Sequence, residues 1–381
     1  MDFGYSEEQT LFSNSLQKLL GDTYDFESRR ALLAEDLSYS EKLWQTYAEL
    51  GVLGLLVPEQ YGGFDGTTVD AMVVALELGK ALALEPILPT VVLGGGAITM
   101  AGSEAQKNEI LPKVADGSIK LAVGFGEPTS RFDLADVCTM ATADGDGYVL
   151  NGLKSVVLGG DAADKIIVSA RTSGEAGHDA DGITLFIVDT DAEGVSRENY
   201  RLVDGRGGAD VTLENVRVNA DAVLGEVGKA LPLIERISDR GAAVACAEAL
   251  GAFARLNDMT LDYLKVREQF GKPIGSFQVL QHRMADMLLE YEYAKSLVFQ
   301  ACMNADAEDD ATRIRSVSAA KVYLGENGRK CCQEAIQMHG GIGVTQEYEL
   351  GDFVKRMTVA EFLFGDVDHH IARFGAASYA A

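Results

Sequence analysis

The fold is decided by residues 144–158, which read DGDGYVLNGLKSVVL. Two Asp-Gly pairs and one Asn-Gly pair accompany the strand-forming runs Tyr148–Leu150 and Val156–Leu158, and such pairs are typical of tight turns between antiparallel strands. More β-rich runs follow with only turns between them: Ile166–Ala170, Ile183–Val188, Val211–Leu213 and Val216–Val218. Because no helical pattern intervenes, the region predicts an antiparallel sheet or barrel rather than a Rossmann domain.

Both flanks of this β region are predicted to be helical. Before about residue 119 the chain has few β-branched runs and repeats apolar residues at helical spacing, and after Gly225 the same period returns and holds to the end. A chain of 381 residues is longer than one hydrophobic core usually serves. We therefore predict an α+β protein with three domains: an N-terminal α-helical domain at residues 1–119, a central antiparallel β domain at 120–224 and a C-terminal α-helical domain at 225–381.

Composition excludes several classes of partner. The chain carries 33 basic and 58 acidic residues, a formal net charge of −25, and such a surface repels nucleic acid and anionic membranes. The five cysteines are an odd number without a C-x-x-C pair, so we expect neither a disulfide framework nor a zinc site. No apolar run reaches the length of a membrane span, and the acidic start shows no signal or transit pattern. We expect a cytoplasmic protein.

Two segments carry the motifs that point to a function. Residues 263–278 read YLKVREQFGKPIGSFQ, and residues 337–344 read QMHGGIGV. Together with LGVLGLLVPEQYGG at residues 50–63, they resemble the motifs of the acyl-CoA dehydrogenase family, in the same order and over nearly the whole chain. The resemblance implies that family's architecture, two helical domains flanking a β domain, with a four-helix-bundle-like C-terminal domain.

The resemblance also implies FAD as the cofactor. In the family, the arginine of the R-x-Q-F-G segment binds the FAD pyrophosphate, which suits the bidentate geometry of a guanidinium group. Glycines let the backbone approach the dinucleotide closely because they lack a Cβ. The residues that the resemblance assigns to the cofactor are Arg267, Phe270, Gln278, Gln337, Gly340 and Gly341. In family tetramers they reach FAD that is held mainly by a neighbouring subunit.

The family's reaction is the α,β-dehydrogenation of an acyl-CoA, in which a carboxylate removes the α-proton while the β-hydrogen leaves as a hydride. Two positions hold this base in the family, and counting along the motifs places Phe364 and Gly241 there. Neither residue can accept a proton. Asp239 lies on a different helical face from Gly241, so the one substitute that we consider is Asp366.

The segments that face the flavin in the family also differ in this chain from the family's motifs. The family's T-E-P-x-A-G-S-D reads GEPTSRFD at residues 126–133, so Gly126 and Phe132 replace hydrogen-bonding residues. Its W-I-T-N reads VVLG at residues 156–159, where Leu158 donates no hydrogen bond. The motifs for the ADP half are complete, whereas those for the flavin half are not. In this the chain resembles the small subunit of heteromeric bacterial enzymes, the pimeloyl-CoA and steroid side-chain dehydrogenases.

The sequence is compatible with three functions. The first is a subunit of an α2β2 acyl-CoA dehydrogenase that completes the FAD pocket of a catalytic partner. The second is a self-sufficient homotetramer that uses Asp366 as its base, and the third is a CoA-ligand-binding or scaffolding subunit without redox activity. The resemblance implies an acyl-CoA substrate, electron-transfer flavoprotein as the electron acceptor and a role in lipid or steroid catabolism. We expect no metal site: the acidic and histidine residues at 366–370 indicate a helix N-terminus with Asp366 as the N-cap.

Overall fold

The computed structural model describes residues 4–35, 38–175 and 179–379. Its α-helices lie before and after the main sheet along the chain. They are α1 Glu7–Thr23, α2 Phe26–Leu33, α3 Glu41–Glu49, α4 Thr68–Ala81, α5 Gly96–Ala101, α6 Glu104–Ala115, α7 Leu231–Val266, α8 Gln278–Asn304, α9 Asp310–Tyr323, α10 Arg329–His339, α11 Leu350–Phe362 and α12 Val367–Tyr379. No helix among the described residues is both long enough and apolar enough to cross a membrane.

The strands lie between α6 and α7, apart from a small hairpin that follows α7. They are β1 Leu121–Gly124, β2 Met140–Asp144, β3 Gly147–Leu158, β4 Lys165–Arg171, β5 Ile183–Asp189, β6 Val195–Arg201, β7 Gly207–Asn219, β8 Val223–Leu224, β9 Glu268–Gln269 and β10 Lys272–Pro273. The predicted order of helices, then sheet, then helices is therefore confirmed. The domain boundaries at residues 119 and 224 stay predictions.

The main sheet is built on hairpins. Its order is β6-β7-β3-β2-β4-β5-β8, with β1 paired to β4. The turn between β2 and β3 is the predicted one: Asp144 pairs with Gly147, and Gly145 between them has a φ of +64°. Alternate side chains of these strands form one apolar core, which includes Leu150, Val168 and Phe186. β4 and β5 are buried at nearly every residue, so both of their faces are covered.

Two details differ from the sequence prediction. Asn151 and Gly152 do not form a turn but lie inside β3, at a register shift between β3 and β7. A Cβ on Gly152 would lie 2.4 Å from the Thr139 Oγ1 atom, so glycine here permits close strand contact. The sheet is also not wholly antiparallel, because β1 runs parallel to β4. The chain between these two strands is long enough for the crossover that parallel pairing needs.

The chain divides into two compact units. One comprises Met1–Ala31, Thr68–Ala83 and Ala242–Ala381, and the other comprises Leu32–Thr67 and Leu84–Gly241 and holds the main sheet. Inside the first unit, α4 and the later part of α7 touch backbone to backbone. A Cβ on Gly79 would lie 1.9 Å from the Glu248 carbonyl oxygen, and one on Gly251 would lie 2.0 Å from the Leu76 carbonyl oxygen. Only glycine fits at both contacts.

Candidate functional site

Arg267 and Phe270 lie on the hairpin that follows α7. The Arg267 amide donates to the Tyr263 carbonyl oxygen (2.9 Å), and the Ile274 amide donates to the Arg267 carbonyl oxygen (2.8 Å), so both sides of the hairpin are tied to the helix end. Phe270 has a φ of +54° and its side chain is 92% exposed. The Arg267 side chain is exposed, and within the described residues it has no hydrogen bond or ion pair. The hairpin therefore presents a cation and an aromatic ring to whatever binds there.

Gly340 and Gly341 form the turn after α10. Gly340 has φ +64° and ψ −140°, a conformation that suits glycine alone. A Cβ placed on either glycine would have no atom within 4 Å, so the backbone of this turn is open on that side. Gln337, in the last turn of α10, and Gln278, the first residue of α8, are both exposed. Each motif segment thus has an exposed glutamine, and the segment at residues 337–344 also has open backbone.

An aromatic stack joins the two motif segments, which lie far apart in sequence. The ring of Tyr263, in the last turn of α7, stacks on the ring of His339 at 4.5 Å between centroids and 25° between planes. Tyr348 lies against the same imidazole at 5.3 Å. Arg267 follows Tyr263 by one helical turn, and Gly340 follows His339 directly. The stack therefore joins the helix end that precedes the Arg267 hairpin to the residue that precedes the Gly340–Gly341 turn.

These residues fit the ADP half of FAD. A pyrophosphate needs a cation that is not already neutralised, which the Arg267 guanidinium supplies. It also needs backbone that a ligand can approach, and the open glycine turn supplies that. The His339 Nε2 atom is a buried polar atom with no partner among the described residues.

Phe364 lies in a rigid frame at the end of α11. The buried Lys321 ammonium group donates to three carbonyl oxygens there, those of Ala360 (2.7 Å), Glu361 (3.0 Å) and Leu363 (2.6 Å). Burial lowers the pKa of Lys321 to about 8. The His370 Nε2 atom donates to the Phe364 carbonyl oxygen (3.1 Å), and Phe364 itself has a φ of +61°. The backbone at this position is fixed on both sides, while its side chain cannot accept a proton.

Asp366 serves the helix that follows. One of its carboxylate oxygens accepts a hydrogen bond from the His369 amide (2.9 Å), which makes Asp366 the N-cap of α12, as the sequence predicts. Gly365 before it has a φ of +117°, and a Cβ there would lie 2.4 Å from the His369 ring. Among the described residues, no group of three or more His, Cys, Asp or Glu side chains is placed to hold a metal ion.

The second unit holds the other positions at which the family motifs are altered. Gly241 is buried within α7 and brings no side chain, and Asp239 is buried as well. Leu158 is buried at the end of β3, where its side chain offers only apolar contact. Val156 lies at a register shift of β3, with a φ of +54° and a side chain that is 57% exposed. A β-branched residue in this conformation is rare and marks a local strain.

Sequence reasoning missed Lys154, which pairs with the motif residue Glu127. The Lys154 Nζ atom lies 2.5 Å from a Glu127 oxygen and 3.0 Å from the Ser169 hydroxyl, and it is fully buried. Burial works to raise the pKa of Glu127, but the Lys154 ammonium holds it below its ordinary value. Burial also lowers the pKa of Lys154 to about 8. The signal was present: Lys154 follows Leu150 and Gly152 at strand period on the inward face of β3.

Comparison with known proteins identifies matches along most of the chain. Family models of acyl-CoA dehydrogenases match in three parts: the N-terminal domain at residues 6–118, the middle domain at 122–216 and the C-terminal domain at 232–378. The probable acyl-CoA dehydrogenase YngJ of Bacillus subtilis is 34% identical over 308 residues, which cover 79% of this chain and 80% of that protein. The resemblance drawn from the motifs is confirmed.

Two solved structures are similar over almost their full length. A variant of the steroid ACAD Tcur3481-Tcur3483 has a TM-score of 0.87 and 30% identity, with 98% of each chain covered. The ChsE4-ChsE5 complex from Mycobacterium tuberculosis has a TM-score of 0.90 and 25% identity, with 100% of each chain covered. Each of these names joins two components.

Proposed function

Because the chain belongs to the acyl-CoA dehydrogenase family, a family of FAD-dependent oxidoreductases, we propose that it is one subunit of a heteromeric acyl-CoA dehydrogenase. Its part is to complete the FAD pocket of a second family member, which carries the catalytic base. The observation that carries this proposal is the contrast between the two regions. The segment for the ADP half is equipped with Arg267 and an open glycine turn, while Phe364 stands where the family has its base.

The Arg267 hairpin would bind the cofactor. The family's cofactor is FAD, as the motifs predict, and when bound it accepts the hydride that leaves the β-carbon of the substrate. Arg267 would bind its pyrophosphate, and Phe270 would cover the adenosine. Phe270 is 92% exposed, and a ligand or another chain that covered it would remove apolar surface from water, which supports a pocket completed between subunits.

The frame around Phe364 supports the partner's role in catalysis. Lys321 and His370 fix the backbone of the loop at the end of α11, so the loop keeps a defined shape without its proton acceptor. Asp366 already accepts the His369 amide as an N-cap, and serving as a base would disturb that cap. A general base contributes typically about 10²–10⁴-fold to rate. The chain alone is therefore a poor dehydrogenase, and we assign α-proton removal to a carboxylate of the partner.

We propose further that the substrate is an acyl-CoA thioester of lipid or steroid catabolism and that electron-transfer flavoprotein accepts the electrons. The two-component names of the steroid ACAD and of the ChsE4-ChsE5 complex support a pair of family members, arranged as α2β2. We propose the cytoplasm as the compartment, on the ground that all five cysteines are free and four of them are buried.

The test is to purify the chain alone and together with a second family member that carries the usual glutamate, ideally the product of a neighbouring gene. FAD per chain is measured by absorbance after denaturation, and activity is measured as acyl-CoA-dependent dye reduction. We expect about one FAD per pair of chains and turnover by the pair only. Full FAD occupancy with brisk turnover by the isolated chain contradicts the proposal.

Two follow-up outcomes identify the alternatives. If the isolated chain is active and Asp366→Asn abolishes that activity while FAD content is retained, the chain is a self-sufficient enzyme with a displaced base. If neither the chain nor any pair binds FAD or reduces dye, yet the chain binds acyl-CoA in a titration, it is a non-redox binding subunit.

A further inference from the structure

His339 connects the two segments assigned to the cofactor, and the family resemblance assigns no role to it. Its imidazole is 3% exposed and lies against Tyr263 at 4.5 Å and Tyr348 at 5.3 Å. It is the last residue of α10, directly before the Gly340 turn. A displacement of the end of α10 relative to the end of α7 therefore displaces the glycine turn relative to the Arg267 hairpin.

The hydrogen bonding of His339 fixes its protonation state. The Nδ1 atom lies 2.8 Å from the Ala335 carbonyl oxygen, and because a carbonyl only accepts, Nδ1 carries the proton. The Nε2 atom is buried without a partner among the described residues. A second proton on Nε2 would thus create a buried N–H with no acceptor, which is costly. We call the stack closed when the His339 ring lies against Tyr263 and Tyr348 as described, and open when it does not. The closed stack favours the neutral imidazole.

We propose that His339 is a positioning residue for FAD: as the neutral Nδ1–H tautomer it holds the Arg267 hairpin and the Gly340–Gly341 turn in the arrangement that receives the adenosine diphosphate half. The inference rests on the proposed function, because it presumes that these two segments bind FAD. His339 itself acts through the stack, and Arg267 and the glycine backbone make the contacts.

The arrangement gives FAD binding a pH dependence of defined sign. Burial lowers the pKa of His339, with the Ala335 hydrogen bond opposing, and no charged side chain contributes to the shift. The charged groups Glu349, Arg255 and Asp262 act on the pKa of the neighbouring Tyr348. The neutral ring is therefore favoured when the stack is closed, and an open stack protonates near the ordinary value of about 6.5. The closed state is complete above that pH and is lost as the pH falls below it.

The experiment titrates FAD into the FAD-stripped protein in its native assembly, by flavin fluorescence, at pH 7.5 and pH 5.5. We expect the wild type to bind FAD more weakly at pH 5.5. His339→Phe keeps a ring in the stack but removes the titrating group, so it binds FAD within about threefold of wild type at pH 7.5 and loses the pH dependence. Tyr263→Leu removes the stack and weakens FAD binding roughly 2- to 10-fold at pH 7.5, the affinity equivalent of one aromatic pair.

A control variant and two contrary results complete the test. His282→Gln removes an exposed histidine on α8 and should show the pH profile of the wild type. The inference is overturned if His339→Phe keeps the wild-type pH profile, or if Tyr263→Leu lowers the melting temperature without weakening FAD binding, since that is a purely structural role. Arg267→Ala distinguishes a failure of the His339 inference from a failure of the proposed function. Unchanged FAD affinity in this variant overturns the proposed function as well, whereas weakened affinity leaves that function intact.

Discussion

Removing the buried ammonium group of Lys154 should destabilise the sheet-containing unit strongly. In Lys154→Met the Glu127 carboxylate loses a partner at 2.5 Å and, among the described residues, keeps the amides of Cys138 (2.7 Å) and Thr139 (3.0 Å). The side chains of the pair are 0% and 3% exposed, so water cannot replace the lost cation. Breaking a buried ion pair from one side costs about 3–5 kcal/mol. We expect a loss of that size in the free energy of unfolding.

The measurement is chemical unfolding at pH 7.5, followed by far-ultraviolet circular dichroism. The matched control is Lys165→Met, because Lys165 also lies on the sheet and pairs with an aspartate, Asp189, but at the surface. Exposed pairs contribute about 0–1 kcal/mol, so the control should stay close to wild type. If Lys154→Met also lies within about 1 kcal/mol of wild type, the pair is not a desolvated charge pair and the reasoning is wrong.

Three further changes test other parts of the structure. Arg267→Ala should weaken FAD retention by roughly 1.5–3 kcal/mol, the range for hydrogen bonds to charged groups, while Lys265→Ala on the preceding helix turn should not; FAD content after dialysis measures both. Gly79→Ala would place a Cβ 1.9 Å from the Glu248 carbonyl oxygen, and the overpacking should cost at least about 1–3 kcal/mol in thermal unfolding. Burial lowers the pKa of His370 to about 2, so the unfolded chain binds one proton more below about pH 6.5; stability should fall there by up to about 1.4 kcal/mol per pH unit, and His370→Gln should flatten that acid limb.

The order of helices and strands could be predicted because local signals specify it. The turn at Asp144–Gly147 follows from an Asp-Gly pair between strand-forming runs, and the capping aspartate Asp366 follows from its position before a helical period. The parallel pairing of β1 with β4 could not be predicted, because it depends on strands that are far apart in sequence. The placement of Gly152 inside β3 could not be predicted either, because its cause is the close approach of Thr139, the residue before β2, in the folded sheet.

The candidate site was predictable only as far as its motifs reach. Arg267, Gly340 and Gly341 belong to quoted motifs, and the stack of Tyr263 on His339 joins the helix ends that precede them. The groups that fix the segments around Glu127 and Phe364 lie outside any short pattern. Lys154 acts through Glu127 across the sheet, and Lys321 reaches the end of α11 from another helix. Such contacts depend on three-dimensional packing, which sequence spacing does not record.

If the chain is one of two subunits, as proposed, its exposed hairpin after α7 bears on how a cell would keep the two in equal amounts. Val266 and Phe270 are 75% and 92% exposed in the single chain. Apolar groups displayed in this way are what chaperones and quality-control proteases recognise. A partner subunit or a bound nucleotide that covers Phe270 would remove that signal. Surplus copies of the chain would then be cleared while assembled copies persist, and a balanced ratio of the two subunits would follow without matched rates of synthesis.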